Sequence, residues 1–168
     1  LCGSKKTQNT TNTGNGVTES QLNEIYNLMD VYCHPFTSGG QEIPIQEAKL
    51  TELITLATDY SCGEDNVTEE SGGIPLRWHE YREPGTQFIK ASTDSNDITE
   101  KLLHVYNMDN EDRRSQETKS RQWVIDNFSI EVIGGQLEKI IDEMPEVNYD
   151  YELKPVKLNV EYETKPQY

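Results

Sequence analysis

The sequence predicts an α/β fold with a Rossmann-like parallel sheet and flanking helices, and three observations predict it. Short apolar, β-rich segments alternate with segments whose apolar residues recur at helical spacing. The resulting order of strand, helix, strand, helix, strand and helix is typical of a parallel sheet with crossover helices. The 168 residues suffice for one domain with a buried core, and the polar residues are concentrated at the two ends.

The first elements are predicted from apolar spacing and capping residues. Leu1-Cys2-Gly3 resembles the end of a strand, and the polar stretch Ser4 to Asn15 is predicted as a loop. Thr18 and Gln21 form a capping box at the start of an amphipathic helix over 19–29. The apolar face of this helix consists of Leu22, Ile25, Tyr26 and Met29.

The middle of the chain predicts two crossover units. Val31 to Cys33 is a short buried strand, and Pro44 suits the first turn of a helix that continues to about Leu50. Leu53 to Ala57 is a second buried strand. Residues 59–73 are polar loop with room for a helical turn, and Ile74 to Trp78 is the third strand.

The segment after the third strand first contains turn and aromatic residues over 81–90, to which no regular structure is assigned. Asp97 and Glu100 have the spacing of a capping box ahead of a third helix, and residues 111–127 predict a largely exposed helix. Ser129 can cap a final helix with a 3.6-residue apolar period, although the Gly134-Gly135 pair costs it about 1 kcal/mol per glycine. We expect residues 1–144 to form the domain and 145–168 a polar tail or edge strand.

The charge of the chain excludes several kinds of partner. With 15 basic and 30 acidic residues the net charge is -15, so nucleic acids and anionic membranes are repelled. The sequence has neither an apolar stretch of about 18 residues nor a charged and apolar leader. We therefore expect no nucleic-acid partner, no membrane span and a cytoplasmic location.

Cysteine and histidine spacing indicates neither a disulfide framework nor a metal site. The three cysteines share no CxxC spacing, and the three histidines are far apart. We expect no bound metal and no cofactor. His34, which precedes Pro35, is interpreted as a packed or hydrogen-bonded residue at a strand end.

The run from His34 to Lys49 is the part of the chain with the clearest chemical meaning. It places Gly39 and Gly40 in a turn between a buried strand and the N-terminus of a helix. Backbone N–H groups at such a turn hold phosphate, and the positive end of the helix adds to the attraction. We predict that the N–H groups of residues 40–43 (Gly40, Gln41, Glu42 and Ile43) bind a phosphorylated ligand.

From Thr18 to about Glu143 the chain resembles the C-terminal, donor-binding half of retaining GT-B glycosyltransferases, the group 1 family that includes sucrose and glycogen synthases of bacterial type. Four segments carry this resemblance: Tyr26 to Asp30, Val31 to Pro35, Pro44 to Ala48 and Leu53 to Asp59. It implies one half of a GT-B fold, N-terminally incomplete, whose partner is a nucleoside diphosphate sugar. It also implies an acceptor domain that this sequence lacks.

The resemblance assigns roles to both ends of the glycine turn. The family has two glutamates eight residues apart, and the second, which binds the ribose hydroxyls, matches Glu47. A carboxylate suits that role because it accepts from two O–H groups. The first contacts the donor sugar, but its position is occupied by Gly39. Three alternatives follow: Glu42 reaches the sugar from a shifted turn, the donor is held differently, or activity has been lost.

The function implied is transfer of a hexose from a nucleoside diphosphate sugar to an unknown acceptor, with Glu42 as the candidate catalytic residue and residues 39–43 and 47 as the donor site. Without an acceptor domain we expect the isolated chain to be inactive. The alternative is a non-catalytic binding or assembly domain of GT-B architecture, which Gly39 and the acidity favour. Arg77, Arg82 and Lys90 are candidates to offset phosphate charge, although solvated surface positions are favoured for each.

Overall fold

The computed structural model of the protein describes residues 16–146, which form an α/β fold. The helices are α1 (Glu19–Tyr26), α2 (Ile43–Leu50), α3 (Gly63–Asn66), α4 (Ser95–Tyr106), α5 (Asn110–Phe128) and α6 (Ile130–Glu143). The strands are β1 (Val31–His34), β2 (Ile54–Thr58), β3 (Ile74–Leu76), β4 (Trp78–Arg82) and β5 (Ile89–Thr93). The strand proposed for residues 1–3, the loop over 4–15 and the tail or edge strand after residue 146 lie outside the described residues.

A three-stranded parallel sheet in the order β1-β2-β3 forms the centre of the fold. Val31 is in register with Ile54, and Leu56 with Ile74. Every residue of the middle strand β2 is buried, which explains its nearly continuous apolar sequence. The prediction of a parallel sheet with flanking helices is thereby confirmed.

The two faces of the sheet are covered by different helices. On one face Ile54 and Leu56 pack with β3 and with Val105 of α4. On the other face Ala57 packs with Ile45 of α2 and with Val67. Alternate residues of β2 thus enter two separate core clusters, as the period of a strand requires.

Helix α1 begins as predicted but ends earlier. The Thr18 side chain accepts from the backbone N–H of Gln21, and the Gln21 side chain accepts from the N–H of Thr18. The helix ends at Tyr26 rather than at residue 29 because Asn27 becomes its C-cap, with its side-chain amide donating to the carbonyl of Asn23. Met29 still packs against the cluster that contains Tyr26.

The third strand is shorter than predicted, and a hairpin follows it. β3 ends at Leu76 because the backbone N–H of Arg77 donates to the Asp97 carboxylate instead of extending the ladder. β4 and β5 then pair antiparallel as a separate two-stranded sheet. Gly85 at φ +94° lies in the connecting turn, a conformation that favours glycine. The segment over 81–90 is therefore hairpin rather than an irregular loop.

The capping box predicted at Asp97 and Glu100 is wrong. Helix α4 begins at Ser95, and its N-cap is Asp94, whose carboxylate accepts from the N–H groups of Asn96 and Asp97. Asp97 lies inside the helix and is buried, with both carboxylate oxygens bound by Arg77. An aspartate held by a distant arginine cannot also cap its own helix.

The last two helices are where the sequence predicts them. Asp109 caps α5, in which Ser120 and Val124 are buried. Ser129 caps α6, and this helix continues through Gly134 and Gly135. Within the described residues no residue of α6 is buried, so its apolar stripe is exposed. None of the helices in residues 16–146 is long and apolar enough to cross a membrane.

Candidate functional site at the carboxyl edge of the sheet

The carboxyl ends of β1, β2 and β3 lie at one edge of the parallel sheet. The loops that follow β1 and β2 meet at this edge, since Ser61 donates to the carbonyl of Gly39 at 2.7 Å. Ligands of open α/β sheets bind outside the carboxyl ends of the strands. The predicted glycine turn thus lies on the side of the sheet where such a fold holds a ligand.

The turn contains two glycines with different surroundings. A side chain on Gly40 would extend into open space, whereas a Cβ on Gly39 would overlap with Oε1 of Glu42 and lie 3.3 Å from Sγ of Cys62. The carboxylate of Glu42 therefore occupies the space in which a side chain of residue 39 would begin.

Glu42 is the N-cap of α2, but its carboxylate makes no capping hydrogen bond. Its Oε2 lies 3.0 Å from Nε2 of His34 instead, and both side chains are about one-quarter exposed. The other ring nitrogen of His34, Nδ1, lies 3.2 Å from the hydroxyl of Tyr32. His34 is hydrogen-bonded at a strand end, as predicted, but the sequence analysis missed that its partner is Glu42.

Glu47 lies one turn further along α2 and faces α1. Its Oε2 accepts a hydrogen bond of 2.8 Å from the Tyr26 hydroxyl. Burial raises the pKa of Tyr26, and the bond to Glu47 raises it further. Glu47 also borders a shallow groove of about 290 Å³ between α1 and α2. The structure thus places Glu47 between the helices, separate from the Glu42 carboxylate over Gly39.

Tyr32 lies between the two glutamates. Burial raises the pKa of its hydroxyl, and the charges of Glu42 and Glu47 add to the increase. Its ring stacks on the His34 imidazole with centroids 5.5 Å apart and is tilted against Tyr26 at 6.0 Å. Tyr32 is therefore a protonated hydroxyl at neutral pH, available to donate a hydrogen bond.

The backbone of the turn retains free donors. Within residues 16–146, the N–H groups of Gly40, Gln41 and Ile43 donate to no backbone carbonyl. All three residues are exposed, and α2 begins at Ile43. Donors at the N-terminus of a helix are suited to an anion.

Cys62 completes the surroundings of the turn. It is half-buried ahead of α3. Burial raises the pKa of the Cys62 thiol, as does the charge of Glu42. A thiol with a raised pKa is a poor nucleophile at neutral pH. No group of three or more His, Cys, Asp and Glu side chains in the described part of the chain is arranged to hold a metal ion.

Two of the three basic candidates are paired with carboxylates, and the third, Arg82, donates to the carbonyl of Gln87. Arg77 binds Asp97 at 2.7 Å and Glu100 at 3.1 Å, and Lys90 is paired with Glu83. The pKa of Arg77 is raised by its bond to Asp97. Arg77 and Lys90 are thus bound to carboxylates, whereas the N–H groups of Gly40, Gln41 and Ile43 donate to no backbone carbonyl within residues 16–146.

Two larger clefts lie away from both glutamates. One of about 680 Å³ at the carboxyl end of β3 is bordered by Trp78 and by several acidic side chains. The other, of about 640 Å³, lies beside Gly72 and Gly73, at the opposite edge of the sheet. Neither is lined by the glycine turn. Their size is suited to small molecules, but their acidic borders are unfavourable to phosphate.

The helix α2 also contains a buried lysine that the sequence pattern does not indicate. Lys49 of α2 is fully buried, and its Nζ donates to the carbonyls of Asn66 at 2.6 Å and Ser71 at 2.9 Å. It also lies 4.4 Å from the ring centroid of Trp123. Burial lowers the pKa of Lys49 to about 7.

Comparisons with protein families, with curated proteins and with solved structures find no match to this chain.

Proposed function

We propose that the chain is the donor-binding half of a retaining glycosyltransferase, which transfers a hexose from a nucleoside diphosphate sugar to an acceptor. The observation that carries the proposal is the position of the Glu42 carboxylate over Gly39. In the family that the sequence resembles, a glutamate at the position of Gly39 contacts the donor sugar. Here a carboxylate lies directly against Gly39, and it comes from a residue three positions later.

The two oxygens of Glu42 have separate tasks in this proposal. Oε2 is bound to His34 at 3.0 Å, which fixes the direction of the carboxylate. Oε1 points over Gly39 and remains able to accept from a sugar hydroxyl. A hydrogen bond to a charged acceptor is stronger than one between neutral groups, so Glu42 orients the hexose.

The diphosphate is held by backbone rather than by lysine or arginine. The N–H groups of Gly40, Gln41 and Ile43 lie at the N-terminus of α2, whose dipole favours negative charge. The diphosphate gains charge as the bond to the sugar breaks. Fixed donors aimed at that charge stabilise the oxocarbenium-like transition state more than the ground state.

Glu47 is the proposed ligand of the ribose. One of its oxygens already accepts from Tyr26, which limits the movement of the side chain. The carboxylate retains capacity for ribose hydroxyls, because each oxygen has two lone pairs. Nucleotide affinity is thus assigned to Glu47 and sugar affinity to Glu42.

The experiment that tests this assignment is calorimetry with UDP-glucose, GDP-mannose and ADP-glucose, each compared with its nucleoside diphosphate. We expect one series to bind. Glu47→Gln should weaken the sugar nucleotide and the nucleoside diphosphate alike, by about tenfold, as expected for a lost bond to a charged group. Glu42→Gln should weaken only the sugar nucleotide. Glu138→Gln on the exposed face of α6 is the matched control.

The proposal fails if no series binds to the 168-residue chain. It also fails if Glu47→Gln leaves every affinity unchanged. Absence of binding would favour the alternative, a non-catalytic domain of the same architecture.

A further inference from the structure

We infer that His34, held by Tyr32, is a positioning residue that aims the Glu42 carboxylate at the donor sugar; this role rests on the proposed function. His34 itself contacts no substrate in this arrangement. It acts through its bond to Oε2 of Glu42, which leaves Oε1 over Gly39.

The Glu42 side chain does not cap the helix that follows it. A side chain at the N-cap commonly accepts from backbone N–H groups of the first helical turn. Glu42 is the N-cap of α2 and makes no such bond. Its carboxylate is directed back across the turn to His34 at the end of β1. The orientation of this carboxylate is therefore set by the sheet and not by the helix that follows it.

The two contacts of the His34 ring indicate which of its nitrogens carries the hydrogen. A neutral ring carries one hydrogen, and the nitrogen without it accepts. Tyr32 can donate its hydroxyl hydrogen to Nδ1, and the Nε2–H of His34 then donates to Glu42. This one tautomer satisfies both contacts. Glu42, whose carboxylate can only accept, requires the hydrogen on Nε2, and the Tyr32 hydroxyl supports the same tautomer by donating to Nδ1.

The His34 ring packs against two aromatic side chains. Its centroid lies 5.5 Å from that of Tyr32 in a stacked arrangement and 5.4 Å from that of Phe36. Tyr32 belongs to the same strand, β1, so the hydroxyl and the imidazole are fixed by one rigid element. A carboxylate bound to this ring is consequently held more firmly than one that ends an unsupported loop.

Nitrogen-detected NMR of the His34 ring tests the inference without a bound sugar nucleotide. We expect the Nε2–H tautomer in the wild-type chain, and a larger share of the Nδ1–H form in Tyr32→Phe, which lacks the hydroxyl. A ring that carries its hydrogen on Nδ1 in the wild type would overturn the inference, whatever the chain binds.

The binding test compares the affinities for UDP-glucose, GDP-mannose and ADP-glucose with those for the matching nucleoside diphosphates. For the series that binds, His34→Ala should lower the preference for the sugar nucleotide by about tenfold and leave the nucleoside diphosphate unaffected, as Glu42→Gln does. His34→Gln, whose amide is also a donor, should restore part of the preference. His104→Ala is the control, because His104 is exposed on α4.

Different results refute the proposed function and the positioning role of His34. If the chain binds none of the three series but has the Nε2–H tautomer, the proposed function is refuted. The role of His34 in the binding of a sugar nucleotide is then refuted as well. An unchanged preference in His34→Ala, with a large loss in Glu42→Gln, refutes the positioning role and leaves the proposed function standing. Thermal unfolding of each variant shows whether the fold has been retained.

Discussion

Replacement of Lys49 by methionine should remove a pH dependence of stability that arises from one buried amine. The ammonium of Lys49 is fully buried, with the carbonyls of Asn66 and Ser71 as its hydrogen-bond acceptors. Its other neighbour is the ring of Trp123. In residues 16–146 no carboxylate forms an ion pair with Lys49. These contacts only partly compensate the loss of solvation of the ammonium. Burial therefore lowers the pKa of Lys49 from 10.5 to about 7.

The magnitude follows from the difference between the folded and unfolded pKa values. Between pH 7 and pH 10 the unfolded chain holds the proton of Lys49 more tightly than the folded chain, so raising the pH favours the folded state. The pKa of about 7 against 10.5 makes this gain about 3 kcal/mol over that interval. Below about pH 6 Lys49 is protonated in both states, and the dependence disappears.

The assay is urea unfolding of the wild type and of Lys49→Met at several pH values from 6 to 10. Because other groups titrate in this range, the quantity to follow is the difference in unfolding free energy between the two proteins. We expect methionine to be most favourable relative to lysine near pH 6 and to lose about 3 kcal/mol of that advantage by pH 10. Lys139→Met on α6, where the lysine is exposed, should show a difference that does not vary. A constant difference for Lys49→Met would refute the reasoning.

Two further predictions concern the glycine turn. Gly39→Ala should displace the Glu42 carboxylate and lower the unfolding free energy by about 1 kcal/mol more than Gly40→Ala, whose Cβ meets open space. Equal losses for the two variants in urea unfolding would contradict the close approach of the Glu42 carboxylate to Gly39. Glu42→Gln should speed alkylation of Cys62 by iodoacetamide at pH 8 by about twofold, because the thiol then keeps its burial but loses a negative neighbour that raises its pKa. Mass spectrometry reports the rate, with Cys33 as the internal reference, and a slower reaction at Cys62 would count against the contact.

Much of the fold was predictable because its signals are local. The period of apolar residues predicted the parallel strands and their helices, and the Thr18 capping box is formed as expected. The hairpin was missed although the sequence has a signal for it: Glu83-Pro84-Gly85-Thr86 is a turn sequence between two short segments that can pair. This turn sequence indicates the hairpin formed by β4 and β5.

The sequence-based predictions are wrong or incomplete where a contact with a residue distant in the sequence determines the local structure. Asp94 and Asp97 are both suited to cap a helix, and only the bond from Arg77 to Asp97 makes Asp94 the cap. The burial of Lys49 is equally non-local, since its acceptors come from α3 and the loop before β3 and its aromatic neighbour from α5. Spacing along a helix identifies the face on which a residue lies. It does not identify what the rest of the chain places there.

The same distinction applies to the missing glutamate of the resemblance. A motif counts positions along the chain, whereas a ligand meets atoms at positions in space. The backbone between Gly39 and Glu42 brings the later carboxylate back over the earlier residue, and His34 holds it there. Gly39 is the residue that permits this, because any side chain would occupy the same space. The glycine at which the chain departs from the motif is therefore also the residue that leaves room for the Glu42 carboxylate.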